Sequence, residues 1–498
     1  MVGQNDAKAS DRDITMQQLK IIIGLMLFSV TGFANTSAIR TIPNAEEAAY
    51  KAALSQSWQP NKMDRATSSF EAFLKKYPDH KEAWIAYANL ESWKQNFRKA
   101  FALLERYRTR FGSTPEYLSA HARILASAGH YNQAIALNTP LANQNPDDYD
   151  LVYTHATALY KANRFKEARV ALQKLKKIQP NNNDTLELEH TFHTLVESML
   201  SSGLNYYQDN QTIKNWTIPL SFDWALNDNT HFIFRGLHEL LTAGKHSGSE
   251  TVQGKSSITD NSVMAGIKWR IVPNIAVIGM VGDLKIEGLP HKFIYWVDAN
   301  VLVAENAALE LFHLRNLYRP YLYPTSPKAV SLGIVEELNG LKIVSQPFIQ
   351  TNVNLLVSYS TLSDGNHYAH LNFSPTQQFI LNSHWGLIVG TDVEFLFFDK
   401  QLNHGYYNPK SHQEYLATAG LNYNPITYFN CSLSMGTGIH QDQTTDGFRP
   451  ASHAYASAAY TFSPWEFGLS YDYTYQGAAH DSQSYQGFSV EARLAIHF

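Results

Sequence analysis

From about Leu200 to the last residue, apolar and polar side chains alternate one by one, the period of a strand whose two faces meet different surroundings. Trp465, Phe467, Leu469, Tyr471, Tyr473 and Tyr475 fall on one side; Glu466, Gly468, Ser470, Asp472 and Thr474 fall on the other. Leu220, Phe222 and Trp224 alternate with Ser221, Asp223 and Ala225. The final segment places Phe488, Val490, Ala492, Leu494, Ile496 and Phe498 on one face, with Ser489, Glu491, Arg493 and His497 opposite. Residues 199–498 are therefore expected to form an antiparallel sheet. Closing it into a barrel leaves no edge unpaired and suits a chain with apolar residues outward in lipid and polar ones inward. On that basis Asp223, Asp298 with its neighbours Trp296 and Asn300, Asp392 with Glu394, Glu466 and Asp472 are candidate lumen-lining residues, while Trp224, Phe395, Trp465 and Tyr471 point to lipid. About seventeen strand starts can be marked, including ones near Lys328 and Tyr406. An even number is expected, about 16 with 14 open.

Before residue 198 the pattern is different. Ala66, Ala100, Ala134 and Ala168 stand 34 apart, as do Ala88, Ala122 and Ala156. Pro78, Gly112, Pro146 and Pro180 keep the same period, each ending a helix with a breaker. A helix pair per unit explains the spacing, with the small alanines where the two helices come closest. The Trp84, Ala88, Ala100 set and the Ala156, Tyr160, Ala168, Pro180 set resemble tetratricopeptide repeats, with units starting near Lys81, Pro115 and Tyr149 and a degenerate one before them. The resemblance implies an α-solenoid over 45–197, a docking platform with no chemistry of its own.

Composition supports the division. Residues 39–198 carry 21 Lys+Arg against 17 Asp+Glu, and residues 199–498 carry 16 against 24, a net of +4 followed by −8. Charged residues make up only 17% and aromatics 13%, which argues against a disordered or nucleic-acid-coating chain. The single cysteine, Cys431, leaves no internal disulfide framework. Within residues 1–38, Lys20 precedes an apolar run from Ile21 to Val30, and Gly32 and Ala34 stand at −3 and −1 of a cleavage site. This is the layout of a secretory signal peptide, with Met16 a plausible start.

No catalytic constellation is present: no G-x-S-x-G elbow, phosphate loop or H-E-x-x-H, so neither an enzyme nor a cofactor is expected. His190 and His193 lie three apart on one helix with no third ligand near, and read as a solvated face rather than a metal site.

An exported chain ending in an alternating strand with a terminal aromatic, Phe498, resembles bacterial outer-membrane barrels, whose assembly machinery reads that strand. The whole layout resembles the outer-membrane exopolysaccharide export porins, of the poly-N-acetylglucosamine porin and cellulose synthase outer-membrane subunit type. Two strings, YSTLSDGN at 359–366 and GYYNPKSHQEYL at 405–416, are similar to ones in that group. The resemblance implies a two-domain chain, tetratricopeptide repeats in the periplasm followed by a transmembrane β-barrel in the outer membrane. It implies a glycan as cargo, and periplasmic or inner-membrane synthesis proteins as partners of the repeats. The net −8 of the barrel segment favours a cationic, partly deacetylated glycan. The layout is also similar to that of surface lipoprotein assembly modifiers, whose cargo is a lipoprotein; a structural or receptor barrel is a third possibility. Fewer repeats than the polysaccharide porins have favours the lipoprotein alternative, and the two strings favour the glycan. Nucleic acid is not expected as a partner.

Overall fold

The computed structural model describes residues 45–498 apart from 60–61, 320–324, 349, 382–383, 427, 444, 446, 463 and 478–483. The signal region, with Met16, Lys20 and Ala34, lies outside the described residues.

Nine helices are described up to residue 196: α1 (Ala45–Ser57), α2 (Met63–Lys76), α3 (Lys81–Trp93), α4 (Phe97–Phe111), α5 (Pro115–Ser127), α6 (Tyr131–Gln144), α7 (Tyr149–Lys161), α8 (Phe165–Ile178) and α9 (Asn183–Val196). The caps are local. The Thr114 hydroxyl accepts from Tyr117 N ahead of Pro115 at the first turn of α5, and the Asp148 carboxylate accepts from Leu151 N at the start of α7. Gly112, at φ +81, ends α4. The periodic alanines Ala66, Ala88, Ala100, Ala122, Ala134, Ala156 and Ala168 are all 2% exposed or less. A larger side chain at any of them would have to displace a neighbouring helix.

The second unit, from Val196 to Phe498, is a ring of sixteen strands. They are β1 (Met199–Asp209), β2 (Lys214–Asn227), β3 (Thr230–Thr242), β4 (Ser257–Val272), β5 (Ile275–Ile286), β6 (Lys292–Ala304), β7 (Ala307–Leu317) and β8 (Val335–Phe348), then β9 (Thr351–Leu362), β10 (His367–Ile380), β11 (Trp385–Phe398), β12 (His412–Ile426), β13 (Phe429–Asp442), β14 (Arg449–Phe462), β15 (Trp465–Gln476) and β16 (Tyr485–His497). Each pairs antiparallel with its chain neighbours, and β1 pairs with β16 in the register Leu200↔Ile496 and Tyr206↔Val490, closing the barrel. Among the described residues no helix is long and apolar enough to cross a membrane. The outward faces are apolar instead: Trp216, Leu220 and Trp224 on β2, Phe293 on β6 at 60% exposure, Leu433 on β13 and Leu469 on β15 all project away from the lumen. A band of such residues around a closed ring is what hydrocarbon selects and water does not.

Two expected strand starts are corrected. The segment at Lys328 is a helix, α10 (Pro327–Leu332), capped by Ser326 and ended by Gly333 at φ +61. Proline fixes the first turn, and PKAVSL lacks the two-residue period of a strand. Tyr406 lies in a connection, Gly405 at φ +79 turns the backbone just before it, and β12 starts only at His412. With the Lys328 segment removed, the count is sixteen and not fourteen.

The connections differ at the two ends. Beside the start of β1 and the end of β16 they are short, as at 228–229, 273–274 and 305–306. At the opposite rim they are longer: 243–256 joins β3 to β4, 318–334 joins β7 to β8 and carries α10, and 399–411 joins β11 to β12.

Candidate conduit in the barrel lumen

The strand period fixes which residues line the interior, and cross-strand register stacks them in rows. On β2, Asp223 projects inward and bonds the His231 ring of β3 at 2.5 Å. On β6, Trp296, Asp298 and Asn300 share the inner face and stand opposite Leu314, Phe312 and Glu310. Phe312 lies over Gly340 of β8, where any side chain would overlap its ring. On β11, Asp392 accepts from Asn372 Nδ2 at 2.7 Å and from Ser374 Oγ at 3.1 Å. Glu394 stands 3.5 Å from His370 Nε2 and directly opposite Glu414. On β15, Glu466 is 3.8 Å from His497, and Asp472 pairs across to Tyr455 and Ser489. Phe498 is outside this set. Its backbone exchanges hydrogen bonds with Ser198 at 2.9 and 3.1 Å, and its ring, 59% exposed, stacks on Phe222.

Asp298, Glu394 and Glu414 are buried, whereas Asp223, Asp392, Glu466 and Asp472 are only partly so. Glu414 is held by His453 Nε2 at 3.0 Å and by Gln476 Nε2 at 3.0 Å. Glu336 accepts from Ser360 and Tyr368. Cations cluster elsewhere: Arg235 and Lys268 on β3 and β4, with Arg270 and Arg493, occupy inner positions nearer the short-turn end. Among the described residues, no group of three His, Cys, Asp or Glu is placed to hold a metal ion.

At the rim with long connections, the two strings singled out in the sequence meet. Asp364 and Asn366 form the turn between β9 and β10. Tyr406 donates to Asp364 Oδ2 at 2.8 Å and accepts from Asn366 Nδ2 at 3.1 Å. His404 bonds the same Asp364 oxygen at 2.8 Å, and Asn366 also holds Lys400 O and Lys400 N. Burial pushes the Asp364 carboxyl up, but the hydrogen bonds from His404 and Tyr406 and from the Asn366 backbone outweigh it and hold it below the usual carboxylate range.

Residues 47–80 and 125–187 match family models of the tetratricopeptide repeat. The helical segment before residue 197 carries tetratricopeptide repeats. The first matched stretch is the repeat that the alanine spacing marks as degenerate. No curated protein matches the sequence. Among solved structures, the barrel is similar to a "Bacterial polysaccharide outer membrane secretin" at 12% identity, covering 61% of this chain and 99% of that one, with a TM-score of 0.48. It is similar to CdiB from Acinetobacter baumannii at 9% identity, covering 60% of each chain, with a TM-score of 0.37. The helical domain is similar to a tetratricopeptide repeat protein from Parabacteroides merdae at 12% identity, covering 29% of this chain and 59% of that one, with a TM-score of 0.24. The chain joins tetratricopeptide repeats to a closed antiparallel barrel of sixteen strands, the two-part layout that the sequence resemblance implies.

Sequence reasoning did not find Arg319, Glu239 and Asp260. Arg319 follows β7, Glu239 is on β3 and Asp260 on β4, and they form one buried ion cluster. Both carboxylates lie on inward positions of alternating segments, which is a usable signal; their partner is in a connection whose course no local period describes.

Proposed function

We propose that this protein is an outer-membrane channel that passes a polymer, an exopolysaccharide, outward through its barrel, with the tetratricopeptide repeats as the periplasmic docking platform for the synthesis proteins or the emerging chain. The observation that carries this reading is a closed barrel with an apolar exterior and an inner wall of rings, amides and paired carboxylates. Many weak contacts of that kind let a neutral or amino-bearing sugar chain slide, whereas one tight site would trap it. Bacterial barrels keep their short turns on the periplasmic side. The chain enters β1 at that end of this barrel, which supports repeats in the periplasm and the longer connections, with the Asp364–Tyr406 contact, at the cell surface.

Replacing Asp392 by Asn and Glu394 by Gln together tests the inner wall. The pair should leave the barrel folded, reduce flux of a cationic glycan and weaken cation selectivity in a planar bilayer. Unchanged selectivity would remove both residues from the conduit and with them the charge argument for the cargo. The short repeat domain favours a second cargo, a surface lipoprotein. A deletion strain that secretes its glycan normally but retains a lipoprotein in the periplasm would decide for that alternative.

A further inference from the structure

At the rim with long connections, a short helix that belongs to no strand packs against the inner wall. Val330 of α10 is fully buried against Leu241, Ile258, Leu284, Ile286 and Ile294, the inward residues of β3 to β6. One residue earlier, Ala329 packs with Tyr318 and Ile334 against Leu362, Tyr368, Leu396 and Phe398, the inward residues of β9 to β11. A helix of one and a half turns therefore joins two arcs of the inner wall, where an open conduit would have water. Polar ties hold its flanks: Ser326 Oγ donates to Gly405 O, Lys328 N to Ser249 O at 3.0 Å, and Val252 N to Ser331 Oγ at 3.0 Å.

Beneath it lies the ion cluster. Glu239 and Asp260 are directly opposite each other across β3 and β4, and are 1% and 0% exposed. Two like charges at that separation repel. Asn215 donates to Glu239, but no strand residue supplies a cation to the pair in the described contacts; Arg319 does. Its Nη2 lies 3.0 Å from both Asp260 oxygens and contacts Glu239 as well. A cavity of about 20 Å³, lined by Asp260, Leu284, Asn316 and Arg319 among others, is room for about one water. The wall thus carries two buried carboxylates whose one cation, Arg319, comes from the connection that also carries α10.

We propose that α10 is an autoinhibitory plug and that Arg319 is its latch: the described state is closed, and conduction requires the guanidinium to leave Glu239 and Asp260 and α10 to leave its two apolar seats. This holds whichever cargo the barrel moves, because it concerns ions and water as much as polymer.

The test is current through the purified full-length protein in a planar bilayer, with heat-modifiable gel migration reporting a folded barrel. Wild type should show small, rare openings. Arg319→Gln strands two buried carboxylates and should raise open probability by on the order of a hundredfold, the scale on which a broken buried ion pair shifts a two-state equilibrium. Val330→Asp, which leaves the ion cluster intact, should open the channel as well. The apolar triple variant Arg319→Met, Glu239→Leu, Asp260→Leu removes every charge of this cluster and should return the channel to small, rare openings. A wild type that conducts steadily overturns the proposal. So do folded Arg319→Gln and Val330→Asp variants with wild-type currents. A triple variant that stays open assigns the cluster to folding alone and overturns the latch. Failure of glycan export with this gating intact would count against the cargo and not against the plug.

Discussion

Single side chains in this protein carry opposite pH signatures. Asp184, at the start of α9, is pushed up to about 6 by burial and by the nearby Glu187 and Asp150 carboxylates. Its folded state therefore holds a proton that the unfolded chain, titrating near 4, has already lost, so this group costs stability at neutral pH and the cost disappears as pH falls from about 6 toward 4. Asp184→Asn should stabilise the tetratricopeptide-repeat domain at pH 7 by about 1–3 kcal/mol and flatten its melting temperature between pH 4 and 6, followed by circular dichroism at 222 nm. Asp364 has the reverse sign. Its lowered carboxyl contributes stability that is present above its unfolded value and lost as pH falls through the folded one. Ala134 is fully buried, and Ala134→Trp should unfold the repeats by overpacking, at a cost well above the ~1–3 kcal/mol of a milder insertion, while the barrel remains heat-modifiable.

At the scale of elements, the outer face of β11 and the contact between the β9–β10 turn and the 399–411 connection make the sharpest expectations. Phe395 points outward and packs beside Phe397 and Tyr415. Phe395→Lys would put a cation in hydrocarbon at ~2–4 kcal/mol near the midplane, so the heat-modifiable band should weaken before any transport defect is measurable. Tyr406→Phe removes the donor to Asp364 and the acceptor for Asn366, about 1.5–3 kcal/mol for a hydrogen bond to a charged group. The expected outcome is faster protease cleavage within 399–411 on intact protein, with unchanged barrel migration. The two strings could be seen in the sequence, but nothing there says that they touch. About forty residues and two whole strands separate them, and only closure of β9 to β12 into consecutive staves brings the turn and the connection to one rim.

For the molecule as a whole, recovery in the outer-membrane fraction with heat-modifiable migration is the expected location, and the intact protein in soluble periplasm would contradict it. Removing residues 45–197 should leave the barrel inserted and abolish export; normal export would make the repeats dispensable. Much of this architecture is a consequence of period alone. A 34-residue alanine spacing demands helix pairs, and a two-residue alternation demands a sheet with unlike faces, because side-chain direction follows backbone geometry residue by residue. That is why the inner positions of Asp223, Asp298, Asp392 and Asp472 could be read from their neighbours. The expected count of about sixteen is also the observed one, but the starts near Lys328 and Tyr406 were misplaced, because in those connections local composition does not separate a short helix or a turn from a strand. The partners of the inner carboxylates, and the packing of α10 and Arg319 against the inner wall, were decided by the tertiary structure: they depend on which strands lie opposite across a closed ring, and ring closure is a long-range pairing of β1 with β16 that no local pattern encodes.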